Sequence, residues 1–231
     1  MNNSLEMKII ARIRTDFGGK FGIPRQSGIV PQLRGEIVFE PEYRVPEAVR
    51  GLEEYSHIWL IWEFSENLRQ GWSPTVRPPR LGGNTRMGVF ATRSPFRPNP
   101  LGLSCVELDS VELTPDRGPV LHVLGADMVD GTPIFDIKPY IPYADIKPDA
   151  AGGFAPAAPE TRLAVTVPPE FEALMPAYKL DALRQVLAND PRPSYQNDPE
   201  RVYGLTFAGY NVKFTVSENV LSIADISPAE G

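Results

Sequence analysis

The chain has few of the residues that build disulfides and metal sites. Its 231 residues include one cysteine, Cys105, so no disulfide can form within the chain. The two histidines, His57 and His122, do not pair with that cysteine at metal-ligand spacing. We therefore expect no bound metal and a reducing compartment, with the cytoplasm as the expected location.

Long apolar segments are also missing. The longest apolar run, residues 58–62, is far shorter than the ~20 residues needed to cross a bilayer. The first fifteen residues, MNNSLEMKIIARIRT, contain no apolar stretch of the length found in signal peptides. These absences predict a protein with no membrane partner.

The common nucleotide-binding fingerprints are absent. The stretch LGGNTRMG places Gly83 and Gly88 at the distance found in a P-loop, but Val89 stands where that loop requires lysine. The chain also contains no G-x-G-x-x-G sequence. A Rossmann site and a phosphate-transferring NTPase are therefore disfavoured, and we interpret these glycines as turn residues before a strand over residues 85–92.

One segment lacks acidic residues altogether. Residues 67–106 contain six arginines and no Asp, Glu or Lys, so this segment carries a charge of +6. Because the whole chain carries −6 at pH 7, the remainder carries −12. Arginine binds phosphate and carboxylate groups through paired N–H donors, so we interpret the segment as a surface for an anionic partner. Its arginines are Arg69, Arg77, Arg80, Arg86, Arg93 and Arg97.

Proline, by contrast, is abundant. The chain has 25 prolines in 231 residues, about twice the usual ~5%, and they are spread along the sequence. Short apolar runs joined by Gly/Pro turns predict a mainly β (α+β) fold built on a small antiparallel or mixed β-barrel. Strands are predicted over residues 7–15, 34–40, 56–64, 85–92 and 103–114, with two more in 119–139 and a short helix from Pro46.

A change of composition predicts a second unit. Small residues dominate IKPDAAGGFAPAAP, which favours a linker. We predict a barrel domain over residues 1–148, a linker over 149–160 and a smaller C-terminal α+β element over 161–231. That element is expected to hold two or three strands and one helix, whose buried face carries Leu180, Leu183, Val186 and Leu187.

The densest candidate for function is TRSPFRPNP, at the end of the acid-free segment. Its three prolines restrict the backbone, so the loop loses little entropy when it binds a ligand. Arginine can pair with a phosphate or carboxylate, and asparagine can recognise an adenine edge or a carbonyl. The polar side chains that this loop presents are Arg93, Ser94, Arg97 and Asn99.

A second candidate, DMVDGTPIFDIKPYIP, contains three carboxylates. Asp130 and Gly131 together form a dipeptide typical of a tight turn, so Asp130 can be explained by the turn alone, without a functional role. Asp136 interrupts an apolar run, where a buried carboxylate needs a partner such as Lys138 two residues along the strand. The pKa of such a carboxylate can be raised, which suits a general base. His57 is interpreted as a hydrogen-bonded strand residue.

Taken together, several motifs resemble the TsaA-like family, and within it the TrmO group of bacterial tRNA methyltransferases. The residues that carry this resemblance are KFGIPRQSGIV, GLEEYSHIWLIWEF, GWSPTVRPPRLGGNTRMGVFATRSPFRPNPLGLS, DGTPIFDIKPYIPYAD and the later NDPRPSYQ. The resemblance implies a small β-barrel methyltransferase that uses S-adenosyl-L-methionine. The implied substrate is the threonylcarbamoyladenosine next to the anticodon, at position 37 of tRNAs that read ACN codons, and the implied assembly is a homodimer.

The resemblance also implies donor-binding positions, and our own interpretation adds the acceptor side. The implied donor-binding residues are Pro24, Arg25, Gln26, Ser65, Glu66, Arg93, Leu103, Asp127, Met128, Val129 and Asp130. The acceptor nitrogen must lose its proton, and we predict Asp136 as the base, with Asp130 second. For the tRNA substrate we predict contacts by Arg69, Arg77, Arg80, Arg86, Arg97, Asn99 and Lys138.

Two other functions remain open from the residues themselves. The first is a non-catalytic RNA-binding barrel that uses only the arginine-rich segment. The second is a small-molecule hydrolase that works through Asp127, Asp130 and Asp136. The hydrolase has no evident nucleophile–base pair or metal set in the sequence.

Overall fold

The computed structural model describes residues 5–157, 162–192 and 198–229, except for the side chains of residues 68–70. Over these ranges the chain forms twelve strands and three α-helices. The first eight strands are β1 Ala11–Thr15, β2 Arg34–Phe39, β3 His57–Glu63, β4 Thr75–Val76, β5 Met87–Gly88, β6 Leu101–Thr114, β7 Gly118–Leu124 and β8 Pro133–Pro139. The remaining elements are α1 Pro142–Asp145, β9 Ala164–Thr166, α2 Pro169–Glu172, α3 Ala177–Ala188, β10 Tyr203–Phe207, β11 Tyr210–Ser217 and β12 Val220–Pro228.

Six antiparallel strands close into a barrel in the order β1-β2-β7-β6-β3-β8. Alternate side chains of each strand point inward and form the barrel core, while those between them face outward. The fully buried residues of that core include Ala11, Ile13, Ile37, Ile58, Leu60, Leu121 and Ile134. The predicted mainly β barrel fold is therefore confirmed.

The register around β3 decides which side chains reach each face. Strand β3 lies between β6 and β8, and Ile61 pairs with Leu103 on one side and with Asp136 on the other. Beyond this point the register with β8 shifts, so that Trp62 pairs with Ile134. Such a bulge re-aims the side chains that follow it, and here it lies where the barrel opens toward the candidate site.

Two predicted elements differ from the structure. The predicted strand over 85–92 is wrong, because only Met87–Gly88 pairs, with the two-residue strand β4, and a 3₁₀ turn follows at Val89–Ala91. The predicted helix from Pro46 is two 3₁₀ turns, Pro46–Val49 and Leu52–Glu54. Gly51 separates these turns with φ +83°, which a continuing helix does not allow.

The C-terminal strands form a separate sheet, in the order β10-β11-β12-β9, with β9 parallel to β12. Helix α3 covers one face of this sheet through Leu180, Leu183, Val186 and Leu187, as its sequence spacing predicted. The expected domain bounds of 1–148 and 161–231 stay a prediction. The expected linker over 149–160 includes residues 158–160, which lie outside the described residues. In the part of the chain that the structure describes, no helix is long and apolar enough to cross a membrane.

Candidate active site

A cleft of about 440 Å³ opens on one side of the barrel, between loops that come from distant parts of the sequence. One wall is the loop between β1 and β2, residues 16–33, and the opposite wall is the proline-rich segment before β6. The floor is formed by the start of β6, the end of β3 and the turn that follows β7. The volume is within the range of cavities that hold small molecules.

Backbone hydrogen bonds fix the 16–33 loop to the turn after β7. The Gly28 amide donates to the Gly125 carbonyl at 2.9 Å, and the Gly125 amide donates to the Leu33 carbonyl at 2.8 Å. Gly28 and Gly125 both have positive φ, and a Cβ on Gly125 would lie 3.1 Å from the Gly28 backbone. Glycine is therefore required where these two segments cross.

A chain of three polar groups lies on the floor of the cleft. The Trp62 indole N–H donates to Ser104 Oγ at 2.9 Å, and the Ser104 hydroxyl donates to Asp127 Oδ1 at 2.6 Å. Because Ser104 is 1% exposed, water does not compete for its hydroxyl, and its orientation is set by the hydrogen bonds with Trp62 and Asp127. A Cβ on Gly102 would lie 2.2 Å from the Trp62 ring, so a glycine is needed for the ring to occupy this position.

Asp127 is the carboxylate of the cleft whose pKa is most affected by its surroundings. Removal from water raises the pKa of Asp127 to about 6, although hydrogen bonds from Ser104 and from backbone N–H groups and the charge of Arg93 oppose this increase. At neutral pH the group is therefore mostly ionised, and it has a higher proton affinity than an ordinary carboxylate. A group of this kind is suited to accept a proton from a bound molecule.

The proline-rich wall is held by its own hydrogen bonds. The Arg97 guanidinium donates to the carbonyl of Val89 at 3.2 Å and to that of Thr92 at 2.7 Å. It also lies 5.6 Å from the centroid of the Phe90 ring. Arg93, in contrast, reaches across the cleft and donates to the Gln26 side-chain carbonyl, so it connects the two walls.

Comparisons with known proteins identify the family of this barrel. Two family models match, the tRNA-methyltransferase O N-terminal domain over residues 12–146 and the TrmO C-terminal domain over residues 160–229. The chain belongs to the TrmO family. The resemblance found in its motifs is thereby confirmed, and it extends over both parts of the chain.

Relatives of the TrmO family match along most of their length. The tRNA (adenine(37)-N6)-methyltransferase of Escherichia coli is 43% identical over 98% of this chain and 99% of its own. A putative S-adenosylmethionine-dependent methyltransferase, RcsF, of Pseudomonas aeruginosa is 42% identical over 85% of this chain and 86% of its own. The crystal structure of TrmO from Pseudomonas aeruginosa superposes with a TM-score of 0.78 at 33% identity, over 97% of this chain and 98% of that chain.

Most of the donor-binding positions implied by the TrmO resemblance come together in the cleft. Those that line it are Pro24, Arg25, Gln26, Ser65, Glu66, Arg93, Leu103, Asp127, Met128 and Val129. They come from five separated segments of the sequence, which the barrel brings to one side. Their roles toward a ligand stay a prediction, but their common location is a property of this fold.

The two residues predicted as bases lie outside the residues that line the cleft, and their role stays a prediction. Asp136 lies on the outer face of β8, where its side chain is 43% exposed and forms a 2.9 Å ion pair with Lys138. Asp130 accepts hydrogen bonds from the Thr15 amide at 3.0 Å and from Arg14 at 3.3 Å. Neither Asp130 nor Asp136 lines the cleft. The three carboxylates of the hydrolase hypothesis are therefore not assembled into one site.

The predicted tRNA-contacting residues occupy several different positions. Arg77 is exposed, Arg86 is exposed and donates to Thr75 Oγ1 at 2.7 Å, and Arg80 donates to the Ala157 carbonyl. Asn99 is exposed and does not line the cleft, and Lys138 is paired with Asp136 on the outer face. The side chain of Arg69 lies outside the described residues.

Sequence reasoning missed the hydrogen-bonded chain of Trp62, Ser104 and Asp127. One signal was available, because Gly102 and Ser104 occupy inward positions of a strand whose next inward residues are Val106 and Leu108. A hydroxyl at an inward-facing position needs a hydrogen-bond partner, which indicates a buried polar site. The partners themselves come from β3 and from the turn after β7, and strand order was needed to find them.

Proposed function

We propose that this protein transfers a methyl group from S-adenosyl-L-methionine to the N6 nitrogen of the threonylcarbamoylated adenosine at position 37 of tRNA. The observation that carries this proposal is the match to both TrmO domains, together with a cleft that collects the implied donor-binding positions. The exposed arginines of the acid-free segment supply a surface for the polyanionic substrate.

The residues of the cleft suit the methyl donor. S-adenosyl-L-methionine has a carboxylate, two positive centres and an adenine ring. The cleft offers the guanidinium group of Arg25 for the carboxylate and apolar surface from Leu101 and Leu103 for the ring. The acidic groups of Glu66 and Asp127 provide negative charge near positive centres. When bound, the donor supplies the activated methyl group.

We assign the proton transfer to Asp127. The N6 lone pair of the substrate is delocalised into the purine and the carbamoyl group, so the N6–H proton must leave as the bond to the methyl carbon forms. Asp127 lies in the cleft, and its raised pKa of about 6 favours acceptance of that proton. Ser104 and Trp62 hold the carboxylate in one orientation, which reduces the cost of alignment during the reaction.

We assign recognition of the substrate to two sets of arginines. Arg93 lies at the cleft and is the residue best placed to pair with the threonyl carboxylate when Gln26 gives up its hydrogen bond. The exposed Arg77, Arg80 and Arg86 are assigned to the tRNA phosphates. Arg97 is assigned to the loop itself, because its N–H groups already serve backbone carbonyls.

We further propose that the enzyme works as a homodimer in the cytoplasm. The outer face of β3 and β6 carries Leu103, which is 55% exposed and lines the cleft, and the half-buried Trp59 and Cys105, which pair in register. Exposed apolar patches of this kind mark interfaces, and a second copy here would border the donor site. The cytoplasmic assignment rests on the tRNA substrate. Sedimentation of the protein with and without the substitution Leu103→Arg tests the dimer.

The function is tested with radiolabelled donor and two preparations of the same ACN-reading tRNA, one with and one without the threonylcarbamoyl group. We expect label on the modified tRNA and almost none on the unmodified one. Equal methylation of both would contradict the threonylcarbamoyl specificity but preserve the methyltransferase assignment. The proposed activity would be overturned if neither tRNA were labelled and calorimetry also showed no binding of the donor.

A further inference from the structure

The loop that forms one wall of the cleft is also part of the hydrophobic core of the C-terminal element. Phe17, Val30 and Leu33, near the two ends of the 16–33 loop, are at most 3% exposed and belong to the same buried cluster as α3 and the C-terminal sheet. Phe21, Ile23 and Ile29 pack against that cluster from the middle of the loop. The loop is therefore buried against the C-terminal element along most of its length.

Specific contacts make this attachment close. The rings of Phe17 and Phe207 meet edge to face with centroids 5.3 Å apart, and the two residues form an isolated β-bridge. Gly22 lies against Leu205, where a Cβ on the glycine would come within 3.1 Å of the leucine side chain. Close-packed contacts of this kind transmit displacement from one segment to the other.

Polar contacts add to the apolar ones. Lys179, on α3, forms a 2.7 Å ion pair with Asp16, and both side chains are less than one third exposed. The Ala208 amide donates to the Asp16 carbonyl at 2.7 Å. The start of the loop is thus bonded to the C-terminal element by a side chain and by the backbone.

Between these anchors the loop presents Pro24, Arg25 and Gln26 to the cleft. On its other side, the loop is bonded to the barrel through Gly28, Leu33 and Gly125. It therefore forms a layer between the barrel and the C-terminal element. A change in the barrel or in the C-terminal element therefore alters how firmly the loop holds Pro24, Arg25 and Gln26 for a ligand.

We propose that the C-terminal element is a positioning unit for the methyl-donor cleft, and that it sets donor affinity by holding the 16–33 loop. Leu205, Phe207 and Lys179 are its positioning residues, and they act through the loop without contact with the donor. This proposal rests on the proposed function for the identity of the ligand. When the loop is held in its binding-competent conformation for only a fraction of the time, the apparent affinity equals the intrinsic affinity multiplied by that fraction.

The decisive test compares two leucine truncations in the same core. Leu205→Ala removes the contact with Gly22, whereas Leu221→Ala removes an equally large buried side chain near the opposite end of the sheet. Leu205 pairs with Val212 and Leu221 pairs with Val216, four residues further along β11, or about 13 Å. The dissociation constant of S-adenosyl-L-methionine is measured by calorimetry on the full chain without tRNA, and melting temperatures are recorded for both variants.

We expect Leu205→Ala to raise the donor dissociation constant about fivefold, with kcat at saturating donor within about twofold of wild type. Leu221→Ala is expected to lower the melting temperature by a similar amount and to leave the dissociation constant within about twofold of wild type. Equal effects of both variants on donor affinity, or no effect of Leu205→Ala, would overturn the proposal.

A milder pair of variants decides the question if the truncations do not fold. Lys179→Met breaks the ion pair with Asp16 on the loop, and Lys213→Met breaks the 3.6 Å ion pair with Asp225 within the C-terminal sheet. Only Lys179→Met is expected to raise the donor dissociation constant, by about twofold to threefold. The same change in both variants, or in neither, would contradict the role of the loop.

Hydrogen exchange separates this proposal from the proposed function. Without any ligand, the amides of residues 21–28 are expected to exchange faster in Leu205→Ala than in Leu221→Ala. If wild-type protein binds no donor, the proposed function fails while this exchange experiment still tests the attachment of the loop. If wild-type protein binds donor and the exchange of the two variants is the same, the positioning role fails and the proposed function stands.

Discussion

Asp127 and Asp136 are nine residues apart in the sequence and lie in opposite physical environments. Asp127 is in the cleft, shielded from water, and its pKa is raised to about 6. Asp136 is on the outer face of the barrel, 43% exposed and paired with Lys138 at 2.9 Å. The same side chain is therefore a candidate proton acceptor at one position and a surface ion-pair partner at the other.

The position of Asp136 follows from strand register, whereas Asp127 lies in the turn between β7 and β8. A bulge between Ile61 and Trp62 shifts the pairing of β3 with β8, and Asp136 lies opposite Ile61, on the outer face. Trp62 points inward and supplies the N–H group that orders Ser104 against Asp127. The chemistry of each carboxylate therefore depends on whether the fold directs it into the cleft or toward the outer face of the barrel.

The strongest test of this comparison is catalytic. Asp127→Asn keeps the size of the side chain but removes the proton acceptor, so we expect the single-turnover rate at saturating donor to fall about 10²–10⁴-fold. The measurement is methyl transfer to threonylcarbamoylated tRNA with enzyme in excess. Because donor affinity is measured separately by calorimetry, a loss of binding is distinguished from a loss of chemistry.

Asp136→Asn is the matched control for that experiment. It changes the same functional group on the outer face, and we expect its single-turnover rate to stay within about twofold of wild type. A large loss in Asp136→Asn with a normal rate in Asp127→Asn would reverse the assignment of the base.

The same pair of variants tests the comparison through stability. Folding raises the pKa of Asp127 from 3.8 to about 6, so the folded protein binds a proton more tightly than the unfolded chain. The free energy of unfolding therefore falls as pH rises through this interval, by about 2–3 kcal/mol. At pH 8 the free energy of unfolding of Asp127→Asn should exceed that of wild type by about that amount. The difference is reduced by the free energy lost when the hydrogen bond with Ser104 is weakened.

Urea titrations at pH 8 and near pH 4 measure this difference. The stabilisation should disappear at the lower pH, where wild-type Asp127 is protonated in the folded protein. Asp136→Asn removes an exposed ion pair and should change stability by less than about 1 kcal/mol at pH 8. Equal stability of Asp127→Asn and wild type at both pH values would show that Asp127 is not desolvated.

Sequence patterns predicted the parts of the molecule that depend on local periodicity. Short apolar runs bounded by Gly/Pro turns predicted the barrel strands, and helical spacing predicted the buried face of α3. The strand over 85–92 was mispredicted because its apolar residues find only the two-residue strand β4 as a partner. A strand needs a partner, and that partner is not encoded in its own periodicity.

The candidate site was predictable in its residues but not in their arrangement. The family motifs contained most of the positions that line the cleft, including Arg93 and Asp127. The choice of Asp136 as the base followed from an apolar run around it, yet burial in a strand depends on the face and register. Trp62, Ser104 and Asp127 become neighbours only when the barrel closes.

A smaller effect is expected from the residue that orders Asp127. Ser104→Ala removes a hydrogen bond that lowers the pKa of Asp127, so that pKa should rise further and the carboxylate should be ionised only at higher pH. In wild type, the single-turnover rate should rise with pH and level off above about 6. In Ser104→Ala the rise should move to higher pH, with a loss of about tenfold or less at pH 6.

The control for that shift is Ser110→Ala, an exposed serine on the same strand. Its pH–rate profile should overlay that of wild type. A uniform loss of rate in Ser104→Ala, with an unchanged pH dependence, would mean that Ser104 acts on packing and not on the proton affinity of Asp127.

The smallest expected effect extends the comparison to the arginines. Arg97 donates to the carbonyls of Val89 and Thr92 and maintains the cleft wall, whereas Arg77 is exposed. Arg77→Ala should weaken tRNA binding severalfold, reduce the slope of log affinity against log salt by about 1, and leave donor affinity unchanged. Arg97→Ala should weaken donor binding, because the loop loses its internal support.

Filter binding of tRNA at several salt concentrations, with donor calorimetry on the same protein, measures both sides of this division. Arg50→Ala is the control, since Arg50 is exposed and lies outside the acid-free segment, next to Glu47. If Arg77→Ala lowered donor affinity, or if Arg50→Ala changed the salt slope as much as Arg77→Ala, the exposed arginines would not form a distinct tRNA surface. If Arg77→Ala changed tRNA affinity and left donor affinity unchanged, the binding partner of each arginine would be decided by its position on the protein. The same relation between position and partner distinguishes Asp127 from Asp136.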